Sequence, residues 1–143
     1  MHEVAHISLY RVHGGSVIAN IDAWNEQRAS VIHPEMMDLS TYKPIYLGSP
    51  IWRYRPAVPL WTFVENNDFQ DKQIVLFNTF NSQFKAENIA EFQKLVEQKG
   101  GVFLDHIYIR RGRVCNQIDR EELLKQVREL LAIRERNWVE GLR

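Results

Sequence analysis

One stretch of the sequence decides the fold: Pro44-Ile45-Tyr46-Leu47-Gly48-Ser49-Pro50-Ile51-Trp52. Its first part, Ile45 to Gly48, is apolar almost throughout and predicts a short strand that is covered on both faces. We expect the strand to end at Gly48, because glycine and proline interrupt regular structure. The segment Ser49 to Arg55 is then predicted to be a loop that offers a ligand a hydroxyl, a proline and a large aromatic ring.

Strands and helices alternate along the rest of the chain. The other predicted strands are Val4–Val12, Ile74–Phe77 and Val102–Ile109. The predicted helices are Asn20–Arg28, one from about Val58, Ala86–Lys99 and one that Asp119 caps. This alternation predicts a single three-layer α/β domain over residues 1–143, with a parallel sheet and helices on both faces. Ligands of such sheets bind beyond the carboxyl ends of the strands, where Ser49–Arg55 and Asn78–Ser82 would lie.

Charge and cysteine usage narrow the functional class. Eighteen basic and eighteen acidic residues give a net charge of zero, which argues against nucleic acid or an anionic membrane as the main partner. Cys115 is the only cysteine, so no internal disulfide is expected and a reducing cytoplasm is the simplest compartment. No apolar run approaches the roughly 18 residues of a membrane-spanning helix, and no signal peptide is visible at the N-terminus.

The residues at the predicted strand ends resemble those of the flavodoxin family. The resemblance rests on Tyr46–Trp52, on Val75-Leu76-Phe77-Asn78-Thr79 and on Gly100-Gly101, and it runs from about Asp38 to Leu131. It implies a flavodoxin-like fold with a site for flavin mononucleotide (FMN). By this resemblance, the residues that line the two sides of the flavin ring are Ser49, Pro50, Ile51 and Trp52 on one side, and Asn78, Thr79, Phe80 and Asn81 on the other.

The sequence departs from the family pattern near its start. A flavodoxin opens with a strand, a hydroxyl-rich phosphate loop that contains glycine, and a helix, and no such unit precedes the strand near His6. The nearest loop of small residues is His13-Gly14-Gly15-Ser16. We therefore expect the first strand and the phosphate loop to be absent and FMN binding to be weakened. The missing strand is a middle member of the family's sheet, so the remaining strands must pair directly, or a second chain fills the gap, or an unpaired edge invites dimerisation. A homo-oligomer is therefore also expected.

The resemblance leaves two functions from different classes open. The first is FMN-associated electron transfer, as a carrier or a reductase component, with a redox protein or a small-molecule acceptor as partner. The second is a non-catalytic interaction or oligomerisation module on a decayed flavodoxin fold. The sequence assigns no catalytic and no metal-binding residue, and it does not decide whether the protein is an enzyme.

Two other patterns carry possible chemistry. His2-Glu3-Val4-Ala5-His6 matches a zinc-peptidase motif, in which two histidines on a helix share a metal. Because the motif runs directly into strand-like sequence, a coincidental match is the favoured interpretation. The second pattern is a set of arginines in the segments around the ligand end of the predicted sheet, where they could bind a phosphate, a nicotinamide cofactor or an acidic partner: Arg53, Arg55, Arg110, Arg111 and Arg113. Solvated loop charges are the favoured alternative.

Overall fold

The structure, a computed structural model, describes residues 31–42 and 44–141. The elements in this part of the chain are strand β1 (Pro44–Trp52), strand β2 (Arg55–Pro56), helix α1 (Val58–Asn66), strand β3 (Gln73–Phe80), helix α2 (Ala86–Gln98), strand β4 (Val102–Arg110) and helix α3 (Arg120–Gly141). The sheet order is β2-β1-β3-β4. Strands β1, β3 and β4 are parallel, and the short β2 is antiparallel to β1. The predicted α/β fold is confirmed here, while the predicted strand Val4–Val12 and helix Asn20–Arg28 lie outside the described residues.

Strand β1 is longer than predicted, and the expectation that it ends at Gly48 was wrong. Ser49 and Pro50 pair with Asn78 and Thr79 of β3, and the strand continues to Trp52. Pro50 is tolerated because its carbonyl accepts the Ala57 N–H at 3.1 Å, so its missing N–H faces the β2 side and costs no bond to β3. The predicted loop Ser49–Arg55 is therefore a strand followed by a tight hairpin.

Helices cover both faces of the sheet, as predicted. Helices α1 and α2 pack on one face in a core whose buried members include Leu47, Phe63, Val64, Ile74, Leu76, Phe92 and Val96. On the opposite face Tyr46, Val75 and Asp105 lie in one row across three strands. Arg134 and Trp138 of α3 reach this row, where both side chains donate hydrogen bonds to the Asp105 carboxylate at 3.0–3.2 Å.

The ends of two helices follow the local signals in the sequence. Asp119 caps α3, because its Oδ1 accepts the N–H of Glu122 at 2.8 Å. Helix α2 ends in two nested bonds, in which the Gly100 N–H donates to the Glu97 carbonyl and the Gly101 N–H donates to the Val96 carbonyl, each at 3.0 Å. Gly100 has a φ of +88°, the left-handed conformation that this type of helix end requires of a residue without a side chain.

Replacing Gly100 by alanine should destabilise the protein by about 1–3 kcal/mol, because a Cβ there would be strained and would meet Gln70 Cα at 2.9 Å. Gly48→Ala is the matched control, since its Cβ would meet only Phe77 atoms at 3.8 and 3.9 Å and should change stability by less than about 0.5 kcal/mol. Urea unfolding of both variants measures the difference. Equal losses of stability in the two variants would show that the left-handed conformation of Gly100 is not needed at the end of α2.

Candidate functional site

The two segments predicted to form the site lie side by side at the carboxyl ends of β1 and β3. Ser49 pairs with Asn78, and Pro50 pairs with Thr79, in the parallel register of the two strands. Trp52 ends β1 two residues beyond Pro50, and Asn81 directly follows β3. The predicted juxtaposition of these segments is therefore observed, whereas contact of the eight residues with a flavin remains a prediction.

A buried amide joins the ends of all three parallel strands. The Asn78 side chain is fully buried, and its Nδ2 donates to the carbonyl oxygen of Ser49 at 2.9 Å and to Ser49 Oγ at 3.1 Å. Asn78 Oδ1 lies 2.8 Å from Nε2 of His106 on β4. Because both amide N–H groups face Ser49, the oxygen accepts and His106 Nε2 carries the proton. We call Ser49, Asn78 and His106 the strand-end link.

Strand alternation divides the predicted site residues between the two faces of the sheet. Those on the α1–α2 face are Ser49, Ile51, Asn78 and Phe80. Ile51 packs against the core, and the Phe80 ring lies 5.3 Å from the ring of Phe84. Contact of these four residues with a flavin ring remains a prediction.

The other four predicted residues lie on the opposite face of the sheet or just beyond β3. Pro50, Trp52 and Thr79 project from the opposite face of β1 and β3, and Asn81 lies in the bend after β3. Pro50 and Asn81 are exposed, while Trp52 and Thr79 are half-buried. This part of the surface therefore offers one large aromatic ring, a hydroxyl and an amide.

An aromatic cluster supports the strand-end link. The ring of Phe84 lies 5.2 Å from that of His106 and 4.8 Å from that of Tyr108. Sequence reasoning did not find Phe84, which follows the predicted loop and precedes α2 in the chain. The spacing of His106 and Tyr108 two apart on a strand was the available signal, but it does not say which face of the sheet they occupy.

The hairpin that carries Trp52 has an unusual backbone. Arg53 and Tyr54 form its two-residue turn with φ of +47° and +73°, a conformation that usually selects glycine or asparagine. The start of α2 holds the turn, since the Lys85 N–H and Asn88 Nδ2 both donate to the Tyr54 carbonyl, at 3.0 and 3.2 Å. The turn that follows Trp52 is thereby held by bonds from the start of another element.

The predicted arginines surround this edge of the sheet. Arg110 Nε donates to the Asn81 carbonyl at 3.3 Å. Arg110 and Arg111 line a hollow of about 210 Å³ beside β4. The Arg55 guanidinium lies 5.5 Å from the Trp61 ring centroid, and its burial lowers the pKa of Arg55, against an opposing effect of Glu91. Arg53 occupies the exposed hairpin turn.

Other parts of the described chain offer less to a ligand. A shallow hollow of about 650 Å³ lies at the opposite end of the sheet and is lined by residues including Met36, Glu65, Gln70, Lys99 and Gly100. Among the described residues, no group of three or more His, Cys, Asp or Glu side chains could hold a metal ion. The His2–His6 motif lies outside them. None of the described helices is long and apolar enough to cross a membrane.

Removing the Asn78 amide should eliminate the hydrogen bonds that join Ser49, Asn78 and His106. Asn78→Ala leaves Ser49 and His106 without their buried partner, and a loss of about 2–4 kcal/mol in unfolding free energy is expected. Asn81→Ala is the control, because its exposed side chain should contribute less than about 0.5 kcal/mol. Urea denaturation compares the two, and a small loss for Asn78→Ala would show that the link contributes little.

The neutral His106 should make stability depend on pH. Burial lowers the pKa of His106 from 6.5 to about 4, with Asp105 raising and Arg134 lowering it. The unfolded chain therefore binds this proton first. The stability that neutral His106 contributes to the folded state is complete above pH 6.5 and is lost as the pH falls towards 4. After allowance for the ring's partial exposure, the loss should be about 1–2 kcal/mol.

Urea unfolding at pH 7.5 and pH 4.5 measures this dependence. His106→Gln is the matched variant, because its amide can still donate to Asn78 but does not titrate. The difference between the two pH values should be smaller for the variant than for the unaltered protein. If the unfolding free energy changed by the same amount between the two pH values in both proteins, His106 would not be the cause of the pH dependence.

The chain resembles known proteins along most of its length. The family model described as Flavodoxin matches residues 15–130. No curated protein matches the chain. Among solved structures, a candidate flavoprotein from Bacteroides uniformis is 20% identical with a TM-score of 0.57, and its alignment covers 78% of this chain and 66% of that one. A second candidate flavoprotein, from Bacteroides eggerthii, is 15% identical with a TM-score of 0.54 and coverage of 79% and 66%.

A flavoprotein in complex with FMN, from Lactobacillus acidophilus, is 18% identical with a TM-score of 0.45, and the alignment covers 64% of this chain and 59% of that one. The two Bacteroides structures share the α/β fold described above. The chain spans 66% of the length of each of them, slightly less than two thirds.

Proposed function

This chain belongs to the flavodoxin family, and from that premise we propose that it binds FMN at the carboxyl ends of β1 and β3. We further propose that it takes part in electron transfer, as a carrier or a reductase component. The observation that carries the proposal is the pairing of Ser49 with Asn78 and of Pro50 with Thr79. It brings the two predicted ring-lining segments to the edge where sheets of this kind bind their ligands.

The residues at this edge fit a flavin ring. The half-buried indole of Trp52 offers a flat apolar surface on which such a ring can stack. Thr79 and the exposed Asn81 supply a hydroxyl and an amide for the polar rim of the ring. Asn78 supports the site indirectly, because its bonds to Ser49 and His106 fix the ends of the strands. FMN supplies the redox chemistry when bound, and these residues bind and orient it.

The hairpin turn strengthens the case for Trp52. Its two left-handed residues, Arg53 and Tyr54, each cost about 1–3 kcal/mol, and such conformations persist where surrounding contacts enforce them. The bonds from Lys85 and Asn88 provide that enforcement. A tryptophan held in place before binding loses little conformational entropy when a ligand stacks on it, which favours affinity.

Replacing Trp52 by alanine should weaken FMN binding by about 1–3 kcal/mol, which is about 5- to 150-fold in Kd, because the stacking surface is lost. The measurement is quenching of flavin fluorescence as protein is added to micromolar FMN. Trp138→Phe is the control, since Trp138 bonds to Asp105 under α3 and should leave the affinity unchanged.

Two results would count against the proposal in different ways. An unchanged affinity for Trp52→Ala would remove Trp52 from the site while leaving FMN binding intact. A protein that does not take up FMN at all would favour the other function, a non-catalytic interaction or oligomerisation module. Sedimentation at several concentrations would then test the proposed homo-oligomer, which a concentration-independent monomer would contradict.

A further inference from the structure

The loops at the carboxyl edge of the sheet are basic, whereas the starts of the helices beside them carry acidic residues such as Glu87 and Asp119. Three segments form this edge: residues 49–57 around the hairpin, 81–85 after β3 and 110–118 after β4. They contain no Asp or Glu, and they hold six basic residues: Arg53, Arg55, Lys85, Arg110, Arg111 and Arg113. We call these six residues the basic rim.

The loops at the opposite edge of the sheet are acidic. The segments there, residues 35–42, 65–72 and 97–100, contain six acidic residues and only Lys72 and Lys99 as basic ones. Among the described loops, charge is therefore separated along the strand direction. A basic surface of this kind attracts an approaching anion before contact.

Local contacts hold the loops of the basic rim in place. In the loop after β4, the Arg113 N–H donates to Asn116 Oδ1 and the Asn116 N–H donates back to the Arg113 carbonyl, both at 2.9 Å. Gly112 permits this turn with a φ of +91°. The Lys85 ammonium lies 4.9 Å from the Tyr54 ring centroid. The charges therefore sit on a shaped surface beside the proposed flavin site.

Several of these charges are available to a partner. Lys85, Arg110 and Arg113 are exposed, and these three residues take no part in the ion pairs Lys99–Glu65 and Arg134–Asp105. Exposed arginines match carboxylates well, because the planar guanidinium can donate two parallel bonds to one carboxylate.

We propose that the basic rim is the docking surface for an acidic protein, the electron-transfer partner of the site. The inference rests on the proposed FMN function. Charges spread over three loops around a central site suit an extended acidic surface, and charge complementarity of this kind steers partners together at high rates. A nucleic acid is disfavoured because the chain as a whole is neutral, with a pI of about 7.0.

The test uses a fluorescently labelled polyglutamate of 20 residues as the probe, with binding followed by anisotropy at 20 mM and 150 mM salt. The double variant Arg110→Glu, Arg113→Glu should weaken binding at least tenfold at low salt. The matched control is Lys94→Glu, Arg128→Glu, which changes the net charge equally at exposed positions on α2 and α3. The affinity of this control for polyglutamate should stay within about twofold of that of the unaltered protein. Arg113→Gln, a milder change, should give a smaller loss in the same direction.

Two outcomes would overturn the proposal. Equal losses in the rim variant and the helix control would show that only net charge matters. Tighter binding of a 20-residue single-stranded DNA than of polyglutamate at 150 mM salt would assign the surface to nucleic acid instead. Weakened binding confined to the rim variants, with polyglutamate preferred over DNA, supports an acidic protein partner.

A parallel FMN titration of the same proteins separates this proposal from the proposed function. If FMN binds and polyglutamate does not, the docking surface is wrong and the flavin site stands. If polyglutamate binds through the rim and FMN does not bind, the surface stands as a protein-binding site and the flavin function fails.

Discussion

The buried amide of Asn78 is the constraint on which the rest of the structure depends. A polar group in an apolar sheet is costly unless every bond is made, and here Ser49 and His106 satisfy it completely. A slip of one residue between β1 and β3 would turn the amide to the wrong face and leave all three groups without partners. The apolar strands make pairing favourable, and the strand-end link selects one register.

That register determines what the protein can present to a ligand. With Ser49 opposite Asn78, alternation turns Trp52 and Thr79 to the face away from α1 and α2, where they are only half-buried. The bonds from the start of α2 to the Tyr54 carbonyl then fix the hairpin next to Trp52. One face of the strand ends carries the strand-end link, and the proposed stacking residue Trp52 lies on the other.

Much of the fold could be predicted because its signals are local. The apolar run Ile74–Phe77, the Asp119 cap and the Gly100-Gly101 helix end each act within a few residues, and each is observed. The end of β1 at Gly48 was predicted wrongly because pairing with β3 outweighs the local preference of glycine and proline. The bond from Asn78 to His106 spans 28 residues, so no local pattern reveals it. The charge separation becomes visible only once the topology places the loops.

The most direct test of the proposed ring position follows the indole N–H signals in a nitrogen-15 NMR spectrum as FMN is added. Trp138 donates its indole N–H to Asp105 on the α3 face of the sheet, whereas the indole N–H of Trp61 bonds to Pro56 of the hairpin. If the flavin ring stacks on Trp52, FMN shifts the Trp52 signal and leaves the Trp138 signal in place. A shift of the Trp138 signal with that of Trp52 unmoved would contradict the proposed site.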